Sequence, residues 1–193
     1  SYWVGLVVAV IVLAVVGGLL DTFVFRPLQR HDPLVTVLVT FGLLMVLEDF
    51  AQIVWGKDFR TMAVPELLSG TVQIAGEAFP VYRLMVMAVA GAVALGLMLW
   101  LRYSRIGLFV RASSADPVVT AIQGVNTNRV SLTVVGIGTA LAGLSGTIAA
   151  PLLSLSPSMG GYILVESFIV IVIGGLGSFG GALIAALVIG QIY

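Results

Sequence analysis

A chain of 193 residues that is 60% hydrophobic and 9% charged, with a mean hydropathy of +1.15, is not a globule folded in water. Such a globule needs about 25% charged residues to cover its surface. Nine basic residues against nine acidic ones argue against a nucleic-acid partner, and the lack of cysteine excludes disulfides and thiolate metal sites.

The fold class that remains is all-α, a polytopic transmembrane helical bundle in a lipid bilayer, with residues 1–193 reading as a single transmembrane domain. A bilayer core takes about 20 apolar residues per helix. Residues 3–20, 33–55, 81–101 and 130–155 meet that length. The runs are long and continuous, without the alternation of a membrane barrel, so strands are not expected. The first run lacks a basic leading region and a small-residue cleavage site, so it does not read as a signal peptide. Both ends are apolar and read as cuts through a longer protein.

The first loop, 21–32, holds Arg26 and Arg30, and the third, 102–129, holds Arg102, Arg105, Arg111 and Arg129. The intervening loop 56–80 and the start of the next span hold Lys57, Arg60 and Arg83. Six basic residues against three place loops 21–32 and 102–129 in the cytoplasm. His31, the single histidine, has no ligands clustered around it and reads as a surface residue.

In the second span Thr36, Thr40, Glu48 and Gln52 recur at multiples of four, which places them on one side of a helix. A charged side chain facing lipid costs about 3 kcal/mol on insertion scales, so this stripe should face the bundle interior or a water-filled path. Glu48 and Asp49 lie near the outer end of the span, where a solvated helix end competes evenly with a pathway role for Asp49 and less well for Glu48, and Glu166 shares that ambiguity.

Segment 102–129 is too long for a tight turn and too short for a domain. Asp116-Pro117 reads as a helix start, with Asp at the N-cap and Pro in the first position, and Gly124 as its stop. A helix over 118–123 is marginal by itself and needs a surface to lie on. That surface is either its own bundle or a cytoplasmic partner. In the fourth span Gly136, Gly138, Ala140, Ala142, Gly143, Gly146 and Ala149-Ala150 predict tight helix contacts, and Pro151 a kink or an end.

Residues 163–173 and 182–192 are each too short to span, and they flank Gly174-Gly-Leu-Gly-Ser-Phe-Gly-Gly181. This run contains a formal G-x-G-x-x-G, but no strand precedes it and the acidic residue about 20 positions on is missing, so it is not a dinucleotide site. Glycines at this depth break a helix or let helices touch, and a broken helix in a transporter often lines the substrate path. Gly174, Gly175 and Gly177 therefore join Thr36, Thr40, Glu48 and Gln52 as candidates for a translocation pathway, with plain packing as the other reading. No Gly-Lys-Ser/Thr phosphate loop occurs, and one histidine in a basic loop supports no nucleophilic triad, so the chain is not expected to be an enzyme.

Taken in order, Phe25-Arg-Pro-Leu-Gln-Arg30, Ser104-Arg-Ile-Gly107, Arg111-Ala-x-x-x-Asp116, Gly124-Val-Asn-Thr-Asn-Arg-Val130 and Gly174-Gly-Leu-Gly-Ser-Phe-Gly-Gly-Ala182 form an ordered set. This set resembles the permeases of branched-chain amino acid ABC transporters, of the H type in the high-affinity leucine/isoleucine/valine system. The resemblance implies a multi-pass protein of a bacterial or archaeal plasma (inner) membrane. It implies pairing with a homologous second permease, two cytoplasmic ATPase subunits, and a periplasmic or extracellular solute-binding protein. ATP and magnesium would be bound by the ATPases, with no cofactor in this chain. It also implies that Arg111, Ala112, Ala115, Asp116, Ala121, Gly124 and Asn126 form the ATPase-coupling segment. The sequence departs from the family at Leu108-Phe109-Val110, which is apolar where a basic residue is usual and is expected to enter the membrane end of the bundle. Urea or short amides stay open as substrates beside leucine-type amino acids. So do an ATP-independent transporter or channel with an ion site at Glu48, and a purely structural membrane anchor.

Overall fold

The structure, a computed structural model, describes residues 2–28, 33–58, 61–65, 68–74, 77–153, 155–156, 158–175 and 177–192. Helix α1 (Tyr2–Leu20) continues through a π-turn (Asp21–Phe25) into the short α2 (Arg26–Leu28). Helix α3 covers Pro33–Trp55 and α4 covers Val81–Tyr103. Two further helices, α5 (Arg105–Ala115) and α6 (Pro117–Ile122), lead into α7 (Thr127–Ala149). The shorter α8 (Met159–Gly174) and α9 (Phe179–Ile192) follow. The first rod, α3, α4 and α7 are each long and apolar enough to cross a membrane. At 1.5 Å per residue, α8 reaches about 24 Å, short of the roughly 30 Å hydrocarbon core. The chain is a multi-pass helical membrane protein, and most of its large apolar side chains lie on the outside, where lipid meets them.

Two expectations need correction. Strands do occur: Thr71–Ile74 (β1) and Glu77–Pro80 (β2) pair antiparallel, with Val72 opposite Phe79. This hairpin lies in the loop between α3 and α4, outside the long apolar runs, and its four-residue strands are too short to show a period. The fourth span also runs over 127–149, not 130–155. It starts early because the Asn126 side chain accepts from the Arg129 N–H at 3.2 Å and caps the helix. It stops early because Pro151 has no N–H to give the Thr147 carbonyl. His31, Arg30 and Arg60 lie outside the described residues.

The heart of the bundle is the antiparallel pair α1–α7. A Cβ at Gly17 would overlap the Thr139 side chain, and one at Gly143 would stand 2.8 Å from Leu13 Cδ1 and 3.3 Å from the Ala9 carbonyl oxygen. Each helix thus offers one bare backbone position to the other, which is how apolar helices approach closely in lipid. Of the glycines predicted to pack in α7, Gly136, Gly138 and Gly146 face open space, so Gly143 carries the contact.

Both ends of this pair carry polar fastenings. Where α7 ends, Leu152 and Leu153 both direct their N–H groups to the Ala149 carbonyl, at 2.9 and 3.1 Å. The Thr147 and Ile148 carbonyls are then left without helical donors. The Tyr2 hydroxyl donates to Thr147 at 3.1 Å and the buried Tyr82 hydroxyl donates to Ile148 at 2.8 Å. The two hydroxyls lie 2.9 Å apart, so two protons serve three contacts and α1, α4 and α7 meet at one knot. At the other end, Asp21 is fully buried, with 0% exposure. Its carboxylate accepts from Arg26 Nε at 3.1 Å and from Ser131 Oγ at 2.8 Å.

Candidate functional site

The segment between α4 and α7 is built by three successive side-chain caps. Ser104 Oγ accepts from the Gly107 N–H at 2.9 Å and starts α5. Asp116 Oδ1 accepts from the Val118 and Val119 N–H groups at 2.9 and 3.0 Å and starts α6, with Pro117 in the first turn. Asn126 then starts α7. Gly124, at φ +83°, supplies the left-handed stop after α6. The sequence places α6 and its two ends correctly. It misses α5, an 11-residue helix that Leu108-Phe109-Val110 belongs to.

The elbow between α4 and α5 is tight. A Cβ at Gly107 would overlap the Leu101 backbone, and the Arg111 guanidinium donates back to the Leu101 carbonyl near the end of α4. Arg111, singled out for coupling, is thus a brace within the elbow. Val110 lines a cavity of about 480 Å³ with Ser113, Ser114, Pro117, Thr127, Val130, Ser131 and Val134, while Leu108 is exposed.

The faces of α6 are inverted relative to a helix that lies on its own bundle. Thr120 is 5% exposed and its hydroxyl donates to the Asp116 carbonyl at 2.7 Å, whereas Val118, Val119 and Ile122 are 67%, 49% and 80% exposed. Ala112, Ala115 and Ala121 are exposed beside them. Asp116, Gly124 and Asn126 form the frame that holds this face outward. Thr120 and the Val118, Val119, Ile122 face were not singled out from the sequence. The i, i+1, i+4 spacing of the three apolar residues was the available signal, but the helix over 118–123 was read from its caps and not from its faces.

The second set of candidates lies on α3 and at the two ends of α8. Thr36, Thr40, Glu48 and Gln52 are half-buried, on the most sheltered face of α3, as their spacing predicts. Glu48 Oε1 accepts from the Gly161 N–H at 3.1 Å. Gly161 is the third residue of α8, and Ser158 gives that helix no side-chain cap. Glu48 therefore satisfies one free N–H of α8 from across the bundle, where the helix dipole favours a carboxylate. Gly160 and Gly161 leave room for it: a Cβ on either would stand 3.4 or 3.6 Å from the carboxylate oxygen.

The glycine break lies at the opposite end of α8. Gly175 and Gly177 have φ of +85° and +89° and turn the chain, while Gly174 packs against the backbone of Gly181 and Ala182. The predicted pathway residues are thus not gathered into one site. Among the described residues no group of three His, Cys, Asp or Glu side chains could hold a metal ion.

The comparisons with known proteins agree with this architecture. The family described as "Branched-chain amino acid transport system / permease component" matches residues 1–193. The high-affinity branched-chain amino acid transport system permease protein LivH of Escherichia coli (strain K12) is 28% identical over 192 residues, covering 96% of this chain and 62% of that protein. BraD of Pseudomonas aeruginosa, a permease protein of the same description, is 27% identical over 192 residues, covering 94% of this chain and 61% of its own length. The chain thus spans less than two thirds of the relatives it matches. No solved structure matches it.

Proposed function

The chain belongs to the branched-chain amino acid transport system permease family, and from this premise we propose that it is the membrane-spanning subunit of an ATP-driven importer. In this reading it pairs with a second, homologous permease in a bacterial or archaeal plasma membrane. A solute-binding protein delivers the substrate on the outer side. Two cytoplasmic ATPases hold the ATP and magnesium. The substrate is a branched-chain amino acid, in keeping with the names of LivH and BraD.

The observation that carries the reading is the outward turn of Val118, Val119 and Ile122 on α6. A two-turn helix is marginal in isolation. One that buries its threonine and presents its apolar face is shaped for a second protein. The six basic residues of loops 21–32 and 102–129 put that face in the cytoplasm. An ATPase whose nucleotide states bind the two permease conformations with different affinity would shift the bundle between outward and inward access, since only differential affinity moves such an equilibrium.

The test is uptake of labelled leucine and of labelled urea by vesicles holding the full-length permease with its ATPases and solute-binding protein. Leucine uptake is expected, with urea excluded. Ile122→Asp is expected to detach the ATPase and reduce leucine uptake by about 100-fold, as for loss of a buried anchor worth nearly 3 kcal/mol. An Ile122→Asp permease that still co-purifies with the ATPase and transports at the wild-type rate overturns the docking assignment.

A further inference from the structure

We infer that Asp21 and Arg26 are positioning residues that carry movement of the docking helix α6 into α1; this rests on the docking reading above. Asp21 is the one charged side chain fully withdrawn from solvent among the described residues. Its partner Arg26 is five positions on, a spacing that an α-helix does not bring to one face. The π-turn does: the Arg26 N–H donates to the Asp21 carbonyl, and in the same turn Arg26 Nε meets Asp21 Oδ2 at 3.1 Å. Such turns are rare and concentrate at functional positions.

The cluster then reaches across to α7. Ser131 Oγ donates to Asp21 Oδ1 at 2.8 Å, and Arg26 Nη2 donates to the Asn128 carbonyl at 3.1 Å. Asn128 and Ser131 belong to the opening turns of α7, directly after the Asn126 cap and the Gly124 stop of α6. Five residues lie between Ile122, at the tip of the docking face, and Asn128 at the ion pair. Over that stretch the chain is fixed by the Gly124 turn and the Asn126 cap.

Stability alone gives no reason for charge here, because a well-packed apolar pair of equal volume holds two helices at least as firmly. An ion pair bonded on three sides differs in fixing one geometry. A displacement of α6 that rotates the start of α7 must therefore take the end of α1 with it or break directional bonds. The effect of Asp21 and Arg26 is exerted through other groups; neither is assigned contact with the substrate.

The experiment uses the full transporter in vesicles and reads two quantities together: leucine taken up and ATP hydrolysed, each per assembled complex. Asp21→Asn, which keeps the shape and removes the charge, is expected to lower uptake per ATP hydrolysed about tenfold, within the range of site-to-site coupling. Arg26→Lys, which keeps the charge but cannot hold Asp21 and the Asn128 carbonyl with the two arms of a guanidinium, should fall in between. Should Asp21→Asn fail to assemble, Ser131→Ala leaves the ion pair in place and should lower the same ratio to a smaller extent. A wild-type ratio in all three variants, or uptake and hydrolysis falling only in step with the amount of complex, overturns the inference. Ile122→Asp serves as the reference. If it loses ATPase docking while Asp21→Asn, Arg26→Lys and Ser131→Ala keep the wild-type ratio, this inference alone falls. If Ile122→Asp transports normally, the docking reading falls and this one with it.

Discussion

Helices α1 and α3 are similar in length and equally capable of crossing a membrane, yet the bundle holds them in different ways. The α1 rod lies against α7 along its length, interlocked at Gly17 and Gly143 and fastened by polar groups at both ends. Helix α3 touches α8 near the latter's first turn, where Glu48 accepts the Gly161 N–H. Hydrophobicity cannot account for the difference, since lipid is as apolar as either helix. In a bilayer the address of a helix is written by its small residues and its few polar ones. The α1–α7 pair is therefore the more firmly fastened of the two contacts.

The comparison can be broken most severely at Gly17. Gly17→Leu forces a side chain into the space of Thr139 and should destabilise the bundle by about 3 kcal/mol, the upper range for overpacking. Thermal unfolding in detergent should show it, and a variant as stable as the parent would mean that α1 and α7 are not interlocked. The tyrosine knot comes next. Tyr82→Phe leaves the Ile148 carbonyl without its donor and should cost about 1 kcal/mol, while the α4–α7 contact itself persists. Glu48→Gln is the mildest of the three. The amide keeps an acceptor for Gly161 and loses only the charge at the helix dipole, so a change of about 0.5 kcal/mol is expected. A loss from Glu48→Gln as large as that from Gly17→Leu would show that α3 is bound as firmly as α1.

The parts of this structure that the sequence discloses are those governed by local rules. The four long spans follow from hydropathy alone. The limits of α6 follow from Asp116-Pro117 and Gly124, because capping and left-handed turns are properties of a few adjacent residues. The face that shelters Thr36, Thr40, Glu48 and Gln52 follows from helical period. What it conceals depends on partners distant in the chain. Nothing near Gly17 announces Thr139, and nothing near Glu48 announces the Gly161 N–H. The pairing of Asp21 with Arg26 is hidden for a different reason: five residues apart is a spacing that helical patterns ignore, and only the π-turn makes it an ion pair. Helix α5 is missed because its mixed composition has no clear stripe, although Ser104 and the Gly107 N–H it binds stand in the motif that was read.

The shortness of α8 has a consequence for the membrane itself. Met159–Gly174 rises about 24 Å, and the left-handed Gly175 ends it before about 30 Å of hydrocarbon is crossed. Either the bilayer thins around this edge of the bundle, or one end of α8 lies below the headgroups. In the second case the backbone groups left unpaired at that end must be met by water or by another part of the protein, because lipid offers them nothing to bond. In the first case the lipid itself is thinnest where α8 stands.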